Sequence, residues 1–365
     1  MTDSRTTDAR DAGMRLRELT FGAMAAAAVR AALRLDVPDT LGETPESAED
    51  LAKRLNVDAR SLRRLMRALV AHGVFAEQAD GRFAHNDTSR LLRADTPRSM
   101  RHVSLWATEP WTWEVWPRLE DAVRHGGSVF PAVFGMEFFD YLHNAAPESA
   151  ETFNRAMTQS SGQSAQDVAA VLDLADARVV ADIGGGQGLL IATLLERHPH
   201  LRGALLDLPA VVADADPRLR RGGPLADRVT LVPGDCRDGV PVHADVYILK
   251  NILEWDDTST RRTLGNLVEA AEPGTRVVVI ENLVDESASL RFSTGMDLLL
   301  LLNVGGAKHT RESMVAAMTR AGLEIGDIRA ISPTLHMFDS VVPARPAAAS
   351  AGRSRTAKPE ADPVG

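Results

Sequence analysis

Hydrophobic residues recur at helical spacing along the N-terminal part of the chain and divide it into several short helices. The helical pattern begins at about Met14, after residues 1–12, which are polar and which we expect to be disordered. Two further helices are predicted over Ala48–Leu55 and Ala59–Ala71. Both have polar residues before their first turn, which is typical of a helix start.

A β-hairpin is predicted directly after these helices. Asp80–Gly81 is a typical two-residue hairpin turn, and Val74–Phe75 and Arg82–Phe83 flank it as the two strands. Helix, turn, helix and hairpin in this order predict a winged-helix-like unit. Residues 97–170 then continue with a mainly helical pattern.

From about residue 171 the pattern changes to short apolar runs that alternate with helical stretches. The predicted strands are Val179–Ile183, Ala204–Asp207, Val229–Val232, Val246–Leu249 and Arg276–Glu281. Strands that alternate with helices form a mostly parallel sheet with helices on both faces. The sequence therefore predicts an α/β Rossmann-like domain that follows an α-helical, winged-helix-like domain.

Composition and charge narrow the possible partners and compartments. The net charge of −9 argues against nucleic acid as the main partner, because phosphate binding needs a basic surface. Cys236, the single cysteine, excludes an intramolecular disulfide and a cysteine-based zinc site, and it is consistent with the reducing cytoplasm, where we expect the protein. The ten histidines form no zinc-binding motif, so no metal is expected. No apolar stretch is long enough to span a bilayer, so no membrane partner is expected.

A glycine-rich loop follows the first predicted strand of the second domain and opens the next helix. Residues 182–188 read Asp-Ile-Gly-Gly-Gly-Gln-Gly, and glycines at such a turn let the backbone approach a ligand closely. A glycine-rich turn without a ligand is the alternative. Two further acids favour a cofactor site. Asp207 ends the next strand, where an acid can bind ribose hydroxyls, and Asp235 follows Gly234.

The spacing of the glycines distinguishes between cofactors. A dinucleotide fingerprint places glycines as G-x-G-x-x-G, so that a pyrophosphate lies at the N-terminus of the helix. Here the glycines stand at 184, 185, 186 and 188, after Asp182. An acid at this point suits a cationic cofactor better than a pyrophosphate. The amino group and the sulfonium of S-adenosylmethionine are such cations, so the sequence predicts S-adenosylmethionine as the cofactor.

Several segments together resemble the family of plant and actinobacterial small-molecule O-methyltransferases, which includes caffeate, anthracycline and mitomycin types. The matching segments are Phe153–Met157, Asp182–Gly188, Leu206–Pro209, Gly234–Asp235, Leu249–Lys250, Glu281, Met296–Asp297 and Asn303–Gly306. Each is unspecific alone, and the likeness as a whole covers residues 15–340. The resemblance implies a homodimer that transfers a methyl group from S-adenosylmethionine to an oxygen of a phenolic or polyketide-type small molecule in secondary metabolism.

The resemblance also implies which residues hold the cofactor and which line the acceptor pocket. The implied cofactor-binding residues are Asp182, Gly184, Gly186, Asp207, Leu208, Asp235, Cys236 and Lys250. The family usually has an aromatic residue or a methionine where Cys236 stands. Met157, Met296 and Asn303 would line the acceptor pocket. Core packing is the alternative for the two methionines.

The resemblance to the family also implies a function for each part of the chain. Residues 13–100 would form a winged-helix-like dimerisation domain, residues 101–170 a helical acceptor-binding and linker region, and residues 171–342 the Rossmann-like domain that binds S-adenosylmethionine. Residues 343–365 are rich in alanine, proline and serine. Like residues 1–12, they are expected to be disordered.

The main departure from the family concerns the catalytic base. A phenol has a pKa near about 10, so a base that removes its proton assists methyl transfer. The family's base is a histidine in a stretch that resembles Leu-His-Asp-Trp, whereas residues 250–257 here read Lys-Asn-Ile-Leu-Glu-Trp-Asp-Asp. Glu254 stands in place of the histidine or of the acid that follows it. Glu281 matches the acid that orients the histidine, and Lys308 replaces a second such acid.

Three interpretations of this departure stay open. In the first, Glu254 is the base, and burial beside aromatic groups raises its pKa. In the second, the acceptor is acidic or already ionised, so that positioning alone suffices. In the third, the fold binds the cofactor but catalyses decarboxylation, hydroxylation or a pericyclic step. A solvated acid at the start of a helix is the non-catalytic alternative for Glu254. A transcriptional regulator that senses a metabolite is a more distant alternative, which the acidic charge disfavours.

Four tryptophans lie close together in the helical region, at positions 106, 111, 113 and 116. They predict either packing between domains or an aromatic lid that stacks on a flat acceptor, and Trp106 is the candidate for acceptor binding. His102 and His143 lie in the same region and are further candidates to reach a substrate. The arginines of the helix Ala59–Ala71 invite comparison with a DNA-recognition helix, but the acidic charge and the cofactor domain favour dimerisation.

Overall fold

The N-terminal part of the protein is helical and carries one short hairpin. The computed structural model describes residues 3–344. The N-terminal elements are α1 (Asp3–Thr20), α2 (Gly22–Arg34), α3 (Val37–Thr40), α4 (Ala48–Leu55), α5 (Ala59–Ala71), β1 (Ala76–Glu77), β2 (Phe83–Ala84) and α6 (Asp87–Arg90). Helices α4 and α5 have the bounds that the sequence predicted. Side-chain caps explain this, because Ser47 and Asp58 accept hydrogen bonds from backbone N–H groups of the first turns, at 3.1 and 2.8 Å.

Helix α1 begins earlier than the sequence pattern indicated. We expected residues 1–12 to be disordered, whereas the helix covers Asp3–Thr20. Residues 3–12 contain neither proline nor glycine, so the backbone has no helix breaker before the predicted start. The expectation for residues 343–365 lies outside the described residues from 345 onward, as it does for residues 1 and 2.

The hairpin is shifted along the sequence from its predicted position. Its strands pair Ala76 with Ala84 and Glu77 with Phe83, whereas we expected Val74–Phe75 and Arg82–Phe83. Val74 and Phe75 are buried in the core of the N-terminal helices instead. Burial of these two side chains outweighs their strand propensity, because removal of large apolar side chains from water is the stronger effect.

The middle of the chain forms a helical layer around an aromatic core. Its elements are α7 (Arg101–Ala107), α8 (Pro110–Val115), a 3₁₀ turn (Trp116–Arg118), α9 (Leu119–His125), α10 (Phe130–Phe134), α11 (Phe138–Asp140), a π-helical turn (Tyr141–Ala145) and α12 (Pro147–Val171). Trp111, Phe130 and Phe138 pack edge to face, with ring centroids 5.1–6.0 Å apart. Such contacts favour one fixed arrangement of the short helices.

The C-terminal part alternates strands and helices, as predicted. Its elements are β3 (Val179–Ile183), α13 (Leu189–Arg197), β4 (Arg202–Asp207), α14 (Pro209–Ala213), a 3₁₀ turn (Ala226–Arg228), β5 (Val229–Pro233), β6 (Val246–Lys250), α15 (Asp257–Ala270), β7 (Arg276–Glu281), α16 (Leu290–Val304), α17 (Arg311–Arg320), β8 (Glu324–Ala330) and β9 (His336–Val341). The sheet order is β5-β4-β3-β6-β7-β9-β8. Strands β3 to β7 pair in parallel, and β9 pairs antiparallel to β7 and β8.

Burial explains which strands the sequence revealed. Strands β3, β6 and β7 are almost entirely buried, and such strands appear as continuous apolar runs. The sequence analysis did not identify β8 or β9. Strand β8 is an edge strand that is mostly exposed, so its apolar residues are diluted by charged ones. The predicted fold class, an α/β Rossmann-like domain behind an α-helical domain, is nevertheless confirmed.

Two features of the described residues bear on possible partners, one of hydropathy and one of charge. Among residues 3–344, no helix is both long and apolar enough to cross a membrane. In α5, Arg63 pairs with Glu49 at 2.8 Å and Arg67 pairs with Glu77 at 3.3 Å. Half of the four arginines of this helix are therefore matched by carboxylates of the same domain.

Candidate active site

The candidate active site lies at the carboxyl ends of the central strands. From β3 the sheet extends to β4 on one side and to β6 on the other, so the direction of the chain connections reverses here. Ligands of open α/β sheets bind in the crevice at such a switch point. A cavity of about 240 Å³ is found at this position. The strand ends form one wall, and α12 with the preceding π-helical turn forms the other.

The loop between β3 and α13 lies against the cavity and requires glycine. Gly184 and Gly186 have φ values of 64° and 62°, in the left-handed region that favours glycine. A Cβ atom on Gly185 would lie 2.5 Å from the carboxyl group of Asp182 and 2.6 Å from Leu205 Cδ1. Any side chain at 185 would therefore displace that carboxyl group or the strand packing. The loop keeps its backbone close to the space where we predict the cofactor.

Asp182 presents a buried carboxyl group at this loop. The residue is 1% exposed, and its Oδ2 atom has no hydrogen-bond partner among the described residues. Burial raises the pKa of Asp182 to about 7, the nearby Lys250 opposes this, and Asp207 adds to it. An unpartnered buried carboxylate is unfavourable unless a cation neutralises it. The cationic groups of S-adenosylmethionine fit this requirement.

Asp207 stands at the end of β4 and is held by the backbone. The N–H groups of Gly186 and Leu208 donate to its two oxygens, each at 2.7 Å. Burial raises the pKa of Asp207, while these two hydrogen bonds oppose the shift. The carboxyl group is therefore fixed in orientation beside the glycine loop. This geometry agrees with the predicted role of Asp207 and Leu208 at the ribose.

Asp235 and Cys236 follow β5 and complete this side of the cavity. Burial acts to raise the pKa of Asp235, but hydrogen bonds from Arg237 outweigh it and hold that pKa below its usual value. The two side chains form a salt bridge of 2.6 Å. Burial raises the pKa of the Cys236 thiol to about 12, so it stays neutral. The guanidinium of Arg237 lies 5.6 Å from the ring centre of Trp255, which joins this wall to the loop after β6.

Lys250 ends β6 and lines the cavity. Its Nζ donates to Ser161 Oγ of α12 at 3.2 Å. Burial lowers the pKa of Lys250, and the charges of Asp182, Glu281 and Glu254 act in the opposite direction. The lysine thus joins α12 to the strand ends, and its charge offsets part of the acidic charge at this edge of the sheet.

Glu254 is buried in an ion pair and does not line the cavity. It is 9% exposed, so the interpretation as a solvated helix-entry acid was wrong. Its carboxylate forms a salt bridge with Lys308, and both side chains are about 10% exposed. The Glu254 carbonyl oxygen lies against Gly306, where an added Cβ would approach it to 1.9 Å. The loop that carries Lys308 therefore packs directly on the segment of Glu254.

Glu281, the second predicted catalytic residue, is also buried beneath the cavity. Its Oε1 accepts a hydrogen bond from the Leu253 N–H at 3.2 Å, and its Oε2 has no partner among the described residues. Burial raises the pKa of Glu281 well above its usual value, and the neighbouring Glu254 carboxylate adds to the shift. Glu281 therefore supports the segment of Glu254 through this backbone hydrogen bond. Within residues 3–344, no three potential metal-binding side chains come together.

The predicted acceptor residues are divided between the cavity and the core. Met157 of α12 lines the cavity. Trp106 packs against Phe153 with ring centroids 6.0 Å apart, and it belongs with Met296 to the aromatic core. Asn303 is 5% exposed on α16. Trp106, Met296 and Asn303 do not line this cavity, and their role in acceptor binding stays a prediction.

Several cavity residues were given no site role in the sequence analysis. They are Phe139, Phe153, Asn154, Ser161, Arg237, Asn251 and Trp255. A signal for part of this set was present, because Phe153, Met157 and Ser161 are four residues apart and share one face of a helix. No comparable sequence pattern identifies Arg237, because its position in the cavity depends on its salt bridge with Asp235, two residues earlier.

Comparison with protein families gives two matches that cover both parts of the chain. Residues 17–95 match the model of an O-methyltransferase dimerisation domain. Residues 116–324 match the model of an O-methyltransferase domain. The first range lies within the predicted dimerisation domain, and the second includes the cavity described above.

Individual relatives and solved structures agree with these matches. The chain is 38% identical to mitomycin biosynthesis 6-O-methyltransferase of Streptomyces lavendulae, over 85% of this chain and 88% of that protein. It is 33% identical to 3-amino-4-hydroxybenzoate 4-O-methyltransferase of Streptomyces cremeus, over 90% and 89%. The structure of the mitomycin 7-O-methyltransferase MmcR superimposes with a TM-score of 0.85 at 36% identity, over 92% of this chain and 99% of that one. The resemblance seen in the sequence is confirmed.

We expect Asp207→Ala to abolish binding of S-adenosylmethionine, because the variant removes the ribose-facing carboxylate and frees the N–H groups of Gly186 and Leu208. Isothermal calorimetry with S-adenosylhomocysteine measures the affinity directly. Asp227→Ala is the matched control, since Asp227 is exposed and distant from the cavity wall. An unchanged affinity of the Asp207 variant would contradict the assignment of this carboxylate to the cofactor.

Proposed function

The chain belongs to the S-adenosylmethionine-dependent O-methyltransferase family, and on this basis we propose that it methylates a hydroxyl group of a planar phenolic or polyketide-type molecule. The enzyme uses S-adenosylmethionine and acts in natural-product metabolism. The observation that supports the acceptor class is the aromatic lining of the cavity. Phe139, Phe153 and Trp255 lie there beside the glycine loop, and aromatic rings favour a flat aromatic ligand by stacking.

Bound S-adenosylmethionine supplies a methyl group on a sulfonium, which is a good leaving group. The residues of the chain then bind the cofactor and position the acceptor. Asp182 would hold positive charge at the glycine loop, Asp207 and Leu208 would hold the ribose, and Asp235 and Cys236 would border the adenine. Lys250 keeps α12 against the strands. With the aromatic side chains that line the cavity, these residues align the acceptor oxygen and exclude water, which are the main requirements of an in-line displacement.

We propose that positioning, and not proton transfer to Glu254, drives the reaction. Lys308 forms a salt bridge with the buried Glu254 carboxylate, so this side chain already has a structural partner. The side chain of Glu254 does not line the cavity, whereas a general base must lie within hydrogen-bond reach of the proton that it removes. An acceptor whose hydroxyl is acidic, or already ionised at neutral pH, needs no such base.

We also propose that the protein is a homodimer. Five large apolar side chains are more than half exposed on α1, α2 and the residue between them. They are Met14, Leu16, Leu19, Phe21 and Met24. Exposed large apolar side chains that are concentrated in one segment mark an interface, and this segment lies within or beside the matched dimerisation domain. A second copy of the chain is therefore the partner that this surface fits.

The cytoplasm is the compartment that we propose for the enzyme. Cys236 is a buried free thiol, which persists in a reducing environment. S-adenosylmethionine is an intracellular metabolite, so an enzyme that consumes it needs access to the same compartment.

Incubation with methyl-labelled S-adenosylmethionine and a panel of hydroxylated aromatic acceptors tests the proposed activity. We expect transfer of the label and a product heavier by one methylene unit. A panel that includes hydroxyquinones and simple phenols also tests the acceptor class, because the proposal predicts faster reaction with the more acidic hydroxyl groups. Preference for amine or carbon acceptors of equal size would contradict it.

A charge reversal separates a structural role of Glu254 from a catalytic one. We expect Glu254→Lys/Lys308→Glu to keep kcat within about threefold, because the ion pair survives, whereas loss of a general base costs about 10²-fold or more. Glu254→Gln alone leaves Lys308 unpaired and is expected to lower the melting temperature. The kcat/KM of the reversed variant should follow the pKa of the acceptor. A 10²-fold loss of kcat in a folded reversed variant would show that Glu254 is the base.

Disruption of the apolar surface is expected to yield monomers. Leu19→Asp/Phe21→Asp places two charges where the partner copy would pack, and light scattering after size exclusion measures the mass in solution. Val123→Asp is the matched control, because Val123 is 69% exposed on α9, outside the matched dimerisation domain. A wild-type monomer, or an unchanged dimer of the double variant, would contradict the proposed interface.

A further inference from the structure

His143 lies in a π-helical turn at the edge of the cavity. The turn Tyr141–Ala145 is π-helical, and the Ala146 N–H donates to the Tyr141 carbonyl at 2.9 Å. Such a turn holds one residue more than an α-helical turn, is rare, and occurs frequently at functional sites. His143 is its central residue, and its side chain lines the cavity together with Phe139 and Phe153.

The imidazole of His143 is buried but has no partner for either nitrogen. Among the described residues, neither Nδ1 nor Nε2 forms a hydrogen bond, and both atoms are inaccessible to solvent. Other histidines of the fold differ. Both ring nitrogens of His85 and of His309 have partners at 2.7–3.1 Å. A buried polar atom without a partner is unfavourable, so this ring is placed to meet a ligand.

Asp207 lines the cavity on the wall opposite this ring and, like the ring, can form hydrogen bonds. A charge on His143 would act on the Asp207 carboxyl group and lower its pKa, although the two side chains form no hydrogen bond. Asp207 already accepts two backbone hydrogen bonds, which fix it beside the glycine loop. The cavity is therefore bounded by an imidazole on one wall and a carboxylate acceptor on the other. A sugar diol, which both donates and accepts, matches that pair.

We propose that His143 is a cofactor-binding residue, whose imidazole forms a hydrogen bond with a ribose hydroxyl of S-adenosylmethionine that Asp207 holds from the opposite wall. This inference rests on the proposed function and specifies one contact of its cofactor. The π-helical turn places His143 beside the ribose. The ribose would then connect the turn before α12, through His143, to the end of β4, through Asp207.

Binding of three ligands tests this contact without any acceptor. His143→Phe keeps the size of the ring and removes its hydrogen bond, so we expect about three- to tenfold weaker binding of S-adenosylhomocysteine. Methylthioadenosine, which lacks the amino acid portion, should lose affinity by the same factor. A 2′,3′-dideoxy analogue of S-adenosylhomocysteine should bind wild type and variant equally. His125→Phe, on the exposed end of α9, is the matched control, and thermal melting checks that each variant is folded.

Each other outcome overturns the inference. A loss with S-adenosylhomocysteine but not with methylthioadenosine would place His143 at the amino acid portion. Unchanged affinity for all three ligands, with a raised KM for the acceptor, would make it an acceptor contact. Failure of the wild-type protein to bind S-adenosylhomocysteine would refute the proposed function itself, independently of any His143 variant.

Discussion

The structure depends on the burial of acidic side chains at the carboxyl edge of the parallel sheet. Asp182, Glu254 and Glu281 lie there within the core, and Lys250 and Lys308 are the ammonium groups beside them. Three carboxyl groups face two ammonium groups, so this edge is acidic unless one acid is protonated or a cation binds. Burial raises the pKa of Asp182 and of Glu281, because it disfavours the charged form of each carboxyl group. A bound cationic cofactor reduces the excess negative charge at this edge, so the buried acids favour binding of the cofactor that methyl transfer requires.

The ion pair of Glu254 and Lys308 gives a physical account of the missing histidine. The resemblance places the histidine, or the acid that follows it, at position 254 and an orienting acid at position 308, and here an acid and a lysine meet instead. This pair joins the loop after β6 to the loop after α16. The two positions are coupled, because either charge alone would be buried without a partner. What the exchange removes is a group that titrates near neutral pH.

The sequence was most informative where one interaction decides the local structure. Helices α4 and α5 were predicted from their caps, and β3 from its unbroken apolar run, since these signals are local. The pairing of Glu254 with Lys308 was not predicted, because it joins residues 54 positions apart through the fold of two loops. Strand β8 gave no clear hydrophobic pattern, because it is an exposed edge strand whose apolar residues are diluted by charged ones. Trp106 illustrates a third case, because the sequence left packing and acceptor binding open for it, and the structure shows its contact with Phe153.

The two walls of the cavity differ in how firmly the fold fixes them. The strand ends and the glycine loop are held by backbone hydrogen bonds and close packing, as the contacts of Asp207 and Gly185 show. The opposite wall is joined to them by few polar contacts, which include Thr158 to Gln187 at 2.7 Å and Lys250 to Ser161 at 3.2 Å. The helical wall contributes Phe153 and Met157 to the cavity, so substitutions there change the space that is left for an acceptor. The strand ends and the glycine loop carry the carboxyl groups that we expect to hold the cofactor, so function on such a fold depends on which residues stand on each wall.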